Sequence, residues 1–264
     1  MAGLRRLDAE LVKRGLARSR QAANDLIDSG AVKVGGVKAT KATSQVSADT
    51  SIVVRAPDAE DWVSRGAYKL IGALDSFAID PANKQCLDAG ASTGGFTQVL
   101  LTRGAAHVVA VDVGYGQIAW SLRTDERVTV LERTNIRNLV ADDLEYRPQL
   151  VVADLSFISL RTVLPALIGV SDPAADFVLM VKPQFEVGKD NVGRRGVVEN
   201  PQLRAQAVQN VARAAQAGGL GVNGIVASQL PGPNENVEYF LWLHAGAPDL
   251  REDDLNRALT EGPT

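Results

Sequence analysis

The sequence predicts an α/β protein in which a mostly parallel, doubly wound sheet follows a small α+β domain at the amino terminus. Three observations lead to this prediction. Short apolar runs alternate with helical patterns over most of the chain, positive charge is concentrated at the amino terminus, and a short polar segment containing Pro57 separates the two parts. We therefore expect a first domain at residues 1–58, a linker at residues 59–64 and a second domain at residues 65–264.

The composition is typical of a folded cytoplasmic protein. Of the 264 residues, 45 % are hydrophobic and 22 % are charged, which argues against a largely disordered chain. Cys86 is the single cysteine, so no internal disulfide can form, as is usual in a reducing compartment. No apolar run approaches the roughly 20 residues of a membrane helix, and no apolar run follows Arg5 and Arg6 as it would in a signal peptide. We therefore expect a cytoplasmic protein without a membrane span.

Charge is distributed unevenly along the chain. The formal net charge of -3 argues by itself against a nucleic-acid partner. Residues 1–42, however, contain nine basic and four acidic side chains and so carry +5, which leaves −8 on the remaining 222 residues. A basic segment of this kind is typical of a nucleic-acid-binding domain, although a solvated basic helix gives the same balance. Charge alone does not separate the two interpretations.

The first domain is predicted to contain two helices followed by a hairpin. Apolar residues at helical spacing predict a first helix that ends near Gly15, and Ser19 is positioned to cap a second helix. The segment Ala31–Val37 holds two short apolar runs around Gly35-Gly36, which predicts a tight hairpin. Ser51–Val54 predicts a further strand.

This part of the chain resembles the S4 RNA-binding domain. The resemblance rests on the run Arg-Leu-Asp-x-x-Leu-Val-x-Arg-Gly-Leu-Ala-Arg-Ser-Arg-x-x-Ala, followed by Ile-x-x-Gly-x-Val-x-Val-x-Gly, and covers about residues 4–56. Arg and Lys neutralise phosphates with little reading of base sequence, so specificity would come from RNA shape or unstacked bases. The resemblance implies RNA contacts at Arg6, Arg18, Ser19, Arg20 and Lys33, with Lys38 and Lys41 as flanking candidates.

The second domain shows the alternation of strands and helices that a doubly wound sheet requires. Its strands lack polar alternation, as in a parallel sheet buried on both faces, and are predicted at Gln85–Asp88, His107–Asp112, Val128–Leu131, Leu150–Asp154 and Phe177–Lys182. Helices are predicted at Ala67–Phe77, Phe96–Arg103, Ile118–Arg123, Leu160–Leu167 and Gln202–Ala217. Two extended runs, Gly221–Gln229 and Val237–His244, predict a terminal hairpin and an antiparallel last strand. This arrangement is similar to the Rossmann-like sheet of S-adenosylmethionine (SAM)-dependent methyltransferases.

A glycine-rich turn follows the first strand of this sheet, in the run Leu-Asp-Ala-Gly-Ala-Ser-Thr-Gly-Gly-Phe. Its G-x-x-x-G-G spacing differs from the dinucleotide fingerprint, and a carboxylate at the strand end would repel a pyrophosphate. SAM carries no phosphate and has a cationic sulfur and amine, so a carboxylate there is favourable. A tight strand-to-helix turn without a ligand is the alternative. The candidate SAM contacts are Asp88, Gly90, Ser92, Gly94, Gly95, Phe96, Asp112 at the next strand end, and Asn135 after the third strand.

Four polar residues lie at the tips of predicted elements. Lys69 is on the first helix of the second domain, Asp154 and Lys182 end the fourth and fifth strands, and Glu238 opens the last strand. Each alone is better explained by a structural role, a strand-end ion pair or, for Lys69, a solvated helix face. Together, beside the glycine-rich turn, they predict a catalytic group.

These stretches are similar to the ribose 2′-O-methyltransferases of the FtsJ type, whose Lys-Asp-Lys-Glu tetrad corresponds to Lys69, Asp154, Lys182 and Glu238. With the S4-like segment, the chain resembles the TlyA family, once called haemolysins, from about residue 4 to 244. The resemblance implies SAM as cofactor and 2′-O-methylation of cytidine in 16S or 23S ribosomal RNA, with ribosomal subunits as partners. Glu60-Asp61 before Trp62 differ from the Arg-Ala pair that precedes this Trp in actinobacterial members of the family, and Arg194-Arg195 form a further candidate RNA contact.

Other functions remain possible on the residues alone. A membrane-active haemolysin, an inactive RNA-binding protein and a methyltransferase with a non-RNA substrate are the alternatives, although the basic amino terminus and the four polar residues favour an RNA-modifying enzyme. No cluster of His and Cys residues predicts a metal site. Either lysine could accept the substrate proton.

Overall fold

The computed structural model describes residues 4–17, 19–28, 31–54 and 62–262. The chain divides into two compact units, Met1–Asp61 and Trp62–Thr264.

In its described residues, the first unit contains two helices and two small sheets. Its elements in chain order are β1 (Arg5–Arg6), α1 (Leu7–Lys13), α2 (Arg20–Asp28), β2 (Val32–Val34), β3 (Val37–Lys38), β4 (Gln45–Val46) and β5 (Ile52–Val54). Strand β2 pairs antiparallel with both β3 and β5, and β1 pairs with β4. The two helices and the hairpin agree with the sequence prediction. The β1–β4 pair was not predicted, because strands of two residues have no detectable periodicity.

The local sequence explains how the first unit folds. Leu7 and Leu11 of α1 and Ile27 of α2 share one buried cluster with Val32, so the predicted apolar stripes form the core. Ser19 Oγ accepts a hydrogen bond from the backbone N–H of Ala22 at 3.1 Å, which confirms Ser19 as the cap of α2.

The second unit is a sheet with helices on both faces. Its first half contains α3 (Gly66–Phe77), β6 (Gln85–Ala89), α4 (Gly95–Thr102), β7 (His107–Val111), α5 (Trp120–Arg123), β8 (Val128–Leu131) and β9 (Leu150–Ala153). Its second half contains α6 (Leu160–Val170), β10 (Asp176–Val181), α7 (Pro183–Glu186), α8 (Pro201–Ala217), β11 (Leu220–Ala227), β12 (Tyr239–Ala245) and α9 (Glu252–Glu261). Helices α7 and α9 were not predicted. Helix α7 has only one turn, and α9 buries just Leu255 and Ala258.

The seven strands have the order β11-β12-β10-β9-β6-β7-β8. Strands β10, β9, β6, β7 and β8 are parallel, and β12 runs antiparallel between β10 and β11. The mostly parallel sheet with an antiparallel last strand is therefore confirmed. The register pairs Ala89 with Val111 on one side and Ala153 on the other, so these strands end at the same edge. Residues that follow the strands are brought together there.

Both faces of the sheet are buried, which explains why its strands are apolar without alternation. Val109 and Leu179 belong to one core cluster, which also receives α6, α8 and α9. Val108 and Met180 belong to the cluster on the opposite face, with α3 and α4. Trp62 and Val63, which lie in the predicted linker range, pack on this second cluster, and the Val63 N–H donates to Gln98 Oε1 at 2.8 Å.

Candidate active site

Two adjoining cavities lie at the carboxyl edge of the parallel strands. The first, of about 410 Å³, is called here the strand-end cavity and is lined by Gly90, Ser92, Asp112, Asn135, Ile136, Asp154, Ser156, Phe157 and neighbouring apolar residues. The second, of about 400 Å³, is called the lysine cavity and is lined by Arg65, Lys69, Gly90, Ser92, Gly95, Phe96, Asp154, Ser156, Lys182 and the segment 231–233. Gly90, Ser92, Asp154 and Ser156 line both cavities, so the two form one continuous site.

The lysine cavity contains two lysine–carboxylate pairs. Lys182 Nζ lies 2.5 Å from Asp154 Oδ1 and donates a hydrogen bond to Ser156 Oγ at 3.1 Å. Lys69 Nζ donates to Glu238 Oε2 at 2.6 Å. The side chains of Lys69 and Lys182 are 11 % and 9 % exposed, so each ammonium reaches the cavity while its stem is buried. Four residues that are distant in sequence therefore meet at one place.

The fold explains how each member of these pairs is held. Asp154 and Lys182 directly follow the adjacent parallel strands β9 and β10, and Lys69 is in the first turn of α3. Glu238 precedes β12 and is completely buried, under the backbone of Gly232. A Cβ added to Gly232 would lie 2.2 Å from Glu238 Oε1, so the loop backbone closes directly over this carboxylate.

Asp112 organises the strand-end cavity. Its Oδ2 accepts the backbone N–H of Ser92 at 2.8 Å and its Oδ1 accepts that of Gly114 at 2.7 Å, which joins the turn after β6 to the loop after β7. Asn135 Oδ1 accepts the N–H of Arg137 at 3.1 Å and starts a short 3-10 turn at the same cavity. The remaining wall is mainly apolar, formed by Val113, Ile136, Leu155, Ile158 and Val163.

A glycine is required at position 90 for two reasons. Its φ is +88°, a conformation that other residues adopt only with strain, and a Cβ there would lie 2.7 Å from the backbone oxygen of Asp154. The turn after β6 therefore packs directly against the segment that carries Asp154.

Two predicted ligand contacts, Asp88 and Gly94, do not line either cavity. Asp88 is fully buried and accepts a hydrogen bond from Thr97 Oγ1 at 2.7 Å, so it holds the start of α4. Burial, with smaller contributions from the Asp154 and Asp112 charges, raises the pKa of Asp88 to about 7. A Cβ on Gly94 would lie 2.3 Å from Leu122 Cδ1, so Gly94 permits close packing of α4 on α5. Periodicity locates such residues at a strand end or turn, but it does not give the direction of the side chain.

Sequence reasoning missed Glu186, on α7 just after Lys182. Its Oε1 accepts the N–H of Leu160 at 2.7 Å, and its Oε2 accepts from Ser159 Oγ at 2.5 Å and from Arg161 Nε at 3.2 Å. Burial raises the pKa of Glu186 and these hydrogen bonds oppose that change. Glu186 is the last residue of the run Lys-Pro-Gln-Phe-Glu at 182–186, but nothing in this run indicates which groups its carboxylate contacts.

Phe157 was also missed. Its side chain is 90 % exposed at the strand-end cavity, and its φ of +64° is unusual for an aromatic residue. Its ring lies 5.3 Å from that of Phe185, centroid to centroid. An exposed ring held in this way beside the strand-end cavity offers a surface on which a planar group could stack.

The predicted RNA contacts of the first unit differ in their surroundings. Arg6 and Arg20 both bind the buried Asp8, at 2.9 Å and 2.8 Å to its Oδ2. The Arg6 hydrogen bond is the main reason that the pKa of Asp8 falls to about 2. Lys33 and Lys38 lie directly opposite each other in the β2–β3 ladder. Lys38, Lys41 and Ser19 are exposed, and Arg18 lies outside the described residues.

In the part of the chain that the structure describes, no group of three or more His, Cys, Asp or Glu residues is arranged to hold a metal ion. No helix in the same ranges has the length and hydropathy needed to cross a membrane.

Comparison with known proteins places this geometry in a family. Residues 62–245 match the FtsJ-like methyltransferase family and residues 5–52 match the S4 domain. The chain is 60 % identical over 269 residues to the 16S/23S rRNA (cytidine-2'-O)-methyltransferase TlyA of Mycobacterium tuberculosis, with 100 % of both chains covered. It is 35 % identical to Hemolysin A of Brachyspira hyodysenteriae, over 89 % of this chain and 97 % of that protein. A solved structure assigned as a hemolysin from Streptococcus thermophilus matches with a TM-score of 0.74 and 32 % identity, covering 99 % of this chain and 98 % of that chain. The chain therefore belongs to the FtsJ-like methyltransferase family and, with its amino-terminal S4 domain, to the TlyA group within it.

Proposed function

We propose that this protein is a SAM-dependent 2′-O-methyltransferase that acts on cytidine ribose in 16S or 23S ribosomal RNA, or in both. The observation that carries the proposal is the meeting of the Lys182–Asp154 and Lys69–Glu238 pairs in one cavity at the carboxyl edge of the sheet. The name of the 60 % identical relative, which states this reaction, supports it. A cytoplasmic location, where ribosomal RNA is found, is part of the proposal.

The residues of the strand-end cavity are suited to SAM. Asp112 is held by two backbone N–H groups and its carboxylate still lines the cavity, so it can accept hydrogen bonds from a ribose diol. Asn135 and Ile136 offer an amide and an apolar wall for adenine, and Gly90 brings backbone close to the ligand. When bound, SAM supplies a methyl group on a positively charged sulfur. Gly95 and Phe96 line the lysine cavity, so we assign them to the border between cofactor and substrate.

The lysine pairs supply the proton chemistry in this proposal. A ribose 2′-hydroxyl reacts only as its proton leaves, so methylation requires a group that accepts the proton. We assign this role to Lys182 acting with its partner Asp154, because Asp154 and Ser156, which hold the Lys182 Nζ, line both cavities. Lys69, held by the buried Glu238, orients the hydroxyl. Fixed orientation of the reacting groups contributes several kcal/mol to such reactions.

The S4 domain is proposed to anchor the RNA. The shared carboxylate of Asp8 holds the guanidinium groups of Arg6 and Arg20 side by side, which suits two neighbouring phosphates. Lys33 and Lys38 place two positive charges directly opposite each other, an arrangement that an anionic ligand would stabilise. Exposed Lys41 extends this basic surface.

The direct test is to incubate the protein with labelled SAM and unmethylated ribosomal subunits and then to map the label. We expect one or a few cytidine 2′-O-methyl groups, with transfer reduced by about 10²- to 10⁴-fold in Asp154→Asn, the range of general acid–base contributions. Binding of Asp154→Asn to subunits should stay within about threefold of wild type, since the S4 domain is intact. No label in RNA from either subunit, free or assembled, would overturn the proposal.

The hemolysin names of two relatives define the second candidate. Leakage of liposomes by the pure protein is its test. If neither wild type nor Lys182→Ala causes leakage, while Lys182→Ala abolishes methylation, the membrane-lytic function is rejected and the enzymatic function remains.

A further inference from the structure

The lysine cavity contains an unbalanced positive charge. Three cationic side chains line it, Arg65, Lys69 and Lys182, with Asp154 as the lining carboxylate and Glu238 buried behind Lys69. Lys182 is paired with Asp154 and Lys69 with Glu238. In the described ranges, Arg65 has no carboxylate partner of its own. The cavity therefore presents one arginine that is available to an anion.

Arg65 is also held close to the proposed reacting groups. It directly precedes α3, which carries Lys69. A Cβ added to the neighbouring Gly66 would lie 3.2 Å from Ser64 Oγ and within ordinary van der Waals contact of Phe96 Cε1, at 3.7 Å, and of Asp154 Oδ2, at 3.9 Å. The backbone that carries Arg65 is thus fixed beside the carboxylate that binds Lys182, while its side chain is exposed.

We propose that Arg65 binds the 3′-phosphate of the nucleotide to be methylated and thereby positions its 2′-hydroxyl. This inference rests on the proposed function. The 2′-oxygen and the 3′-phosphate are attached to adjacent carbons of one ribose, so a cation that holds the phosphate restricts where the hydroxyl can lie. A guanidinium suits this role because its planar donors bind phosphate oxygens in pairs. Arg65 belongs to the same unit as the proposed reacting groups, whereas the S4 residues belong to the other unit.

A second anion could occupy the same position, namely the carboxylate of SAM itself. Arg65 lines the lysine cavity and is absent from the lining of the strand-end cavity, where Asp112 and Asn135 lie. This placement favours the RNA phosphate. The affinity for SAM, measured by calorimetry on each variant, distinguishes the two sources.

The kinetic experiment compares Arg65→Ala, Arg65→Lys and the control Arg213→Ala in full-length protein. Arg213 is an exposed arginine on α8, remote from the lysine cavity. We expect Arg65→Ala to lower single-turnover methyl transfer to saturating subunits by about 10- to 100-fold, the loss of a charge-assisted hydrogen bond. Subunit and SAM affinities should stay within about threefold. Arg65→Lys should recover part of the rate, since lysine keeps the charge without the paired donors.

A binding experiment makes the inference independent of the proposed reaction. Cytidine 3′-monophosphate is titrated into full-length wild type and each variant, with chemical shifts of the probe as readout. Tighter binding to wild type and Arg213→Ala than to Arg65→Ala supports the phosphate site, even if no subunit becomes methylated. Equal binding by wild type and Arg65→Ala, including no binding by either, or a loss of SAM affinity in Arg65→Ala, overturns it. Unchanged methyl transfer by Arg65→Ala also overturns it while the proposed function stands.

Discussion

Glu186 accepts the backbone N–H of Leu160 through Oε1 at 2.7 Å, and this hydrogen bond joins the segment after Lys182 to the segment after Asp154. Ser159 and Arg161 donate to the other carboxylate oxygen. The two strand ends that carry the Lys182–Asp154 pair are therefore connected by one buried carboxylate. Its position suggests that it keeps the pair aligned without touching the substrate.

The first prediction concerns the Glu186 carboxylate and the two strand ends that it connects. Glu186→Ala should lower the free energy of unfolding by about 1–3 kcal/mol, because it leaves the Leu160 N–H buried without an acceptor. It should also lower kcat for methyl transfer by about tenfold, with KM for SAM nearly unchanged. Glu186→Gln, which can still accept from Leu160, should recover most of both losses.

Glu199→Gln is the control for this prediction, because Glu199 is 78 % exposed and pairs with exposed Arg195. Unfolding by urea and the pH profile of kcat are the measurements. If Glu186→Ala loses stability but retains the wild-type kcat and pH profile, the residue is structural only.

The second prediction compares two glycines with nearly the same positive φ. Gly90 and Gly219 have φ of +88° and +89°, but a Cβ would collide with the Asp154 backbone only at Gly90 and would meet nothing within 4 Å at Gly219. Both alanine variants should lose about 1–2 kcal/mol of stability from the strained φ. Gly90→Ala should lose more, and should bind SAM at least about tenfold more weakly, because Asp154 and the turn must separate.

Calorimetric SAM affinity and thermal unfolding check this comparison. Equal SAM affinity in the two variants would show that the close approach of Gly90 to Asp154 has no part in binding.

The sequence predicted the sheet well because its strands are buried on both faces and follow one another in βα order. It also predicted that Asp154 and Lys182 lie together, since residues at the ends of adjacent parallel strands meet at one edge, and it grouped Lys69 and Glu238 with them. It did not distinguish Asp88 from Asp112, because both were predicted to end a strand, whereas Asp88 lies within β6 and Asp112 directly follows β7. Asp112 reaches the cavity, whereas Asp88 turns inward to Thr97, and this depends on packing between elements. Glu186 and Arg65 were missed for the same reason: their importance lies in what they contact or leave unpaired.

The third prediction concerns the pH dependence of stability. The pKa of Asp88 is raised to about 7 in the folded protein from an ordinary value of 3.8, mainly by burial. The folded state therefore binds more protons than the unfolded state between these values, and stability falls as pH rises from about 4 to about 7. Asp88→Asn, which cannot ionise and can still accept from Thr97, should flatten this part of the curve and be the more stable protein at pH 8.

Urea unfolding of both proteins at pH 5, 6, 7 and 8 provides the test. Parallel curves for wild type and Asp88→Asn would mean that Asp88 ionises in the folded protein without cost, contrary to the prediction.

The fourth prediction concerns the basic hairpin of the S4 domain. Lys38 lies directly opposite Lys33, and like charges in this position repel each other. Lys38→Ala should therefore leave the S4 domain as stable as wild type or more so, while RNA binding weakens. Loss of one phosphate contact should reduce the slope of log Kd against log salt by about 0.7–0.9, with a similar change for any RNA sequence.

Two variants are the controls for this prediction. Lys38→Arg keeps the charge and should retain the wild-type slope, and Arg213→Ala, in the other domain, should also leave the slope unchanged. Filter binding to ribosomal RNA fragments at several salt concentrations measures these slopes, and a wild-type slope in Lys38→Ala would remove the hairpin from the RNA-binding surface.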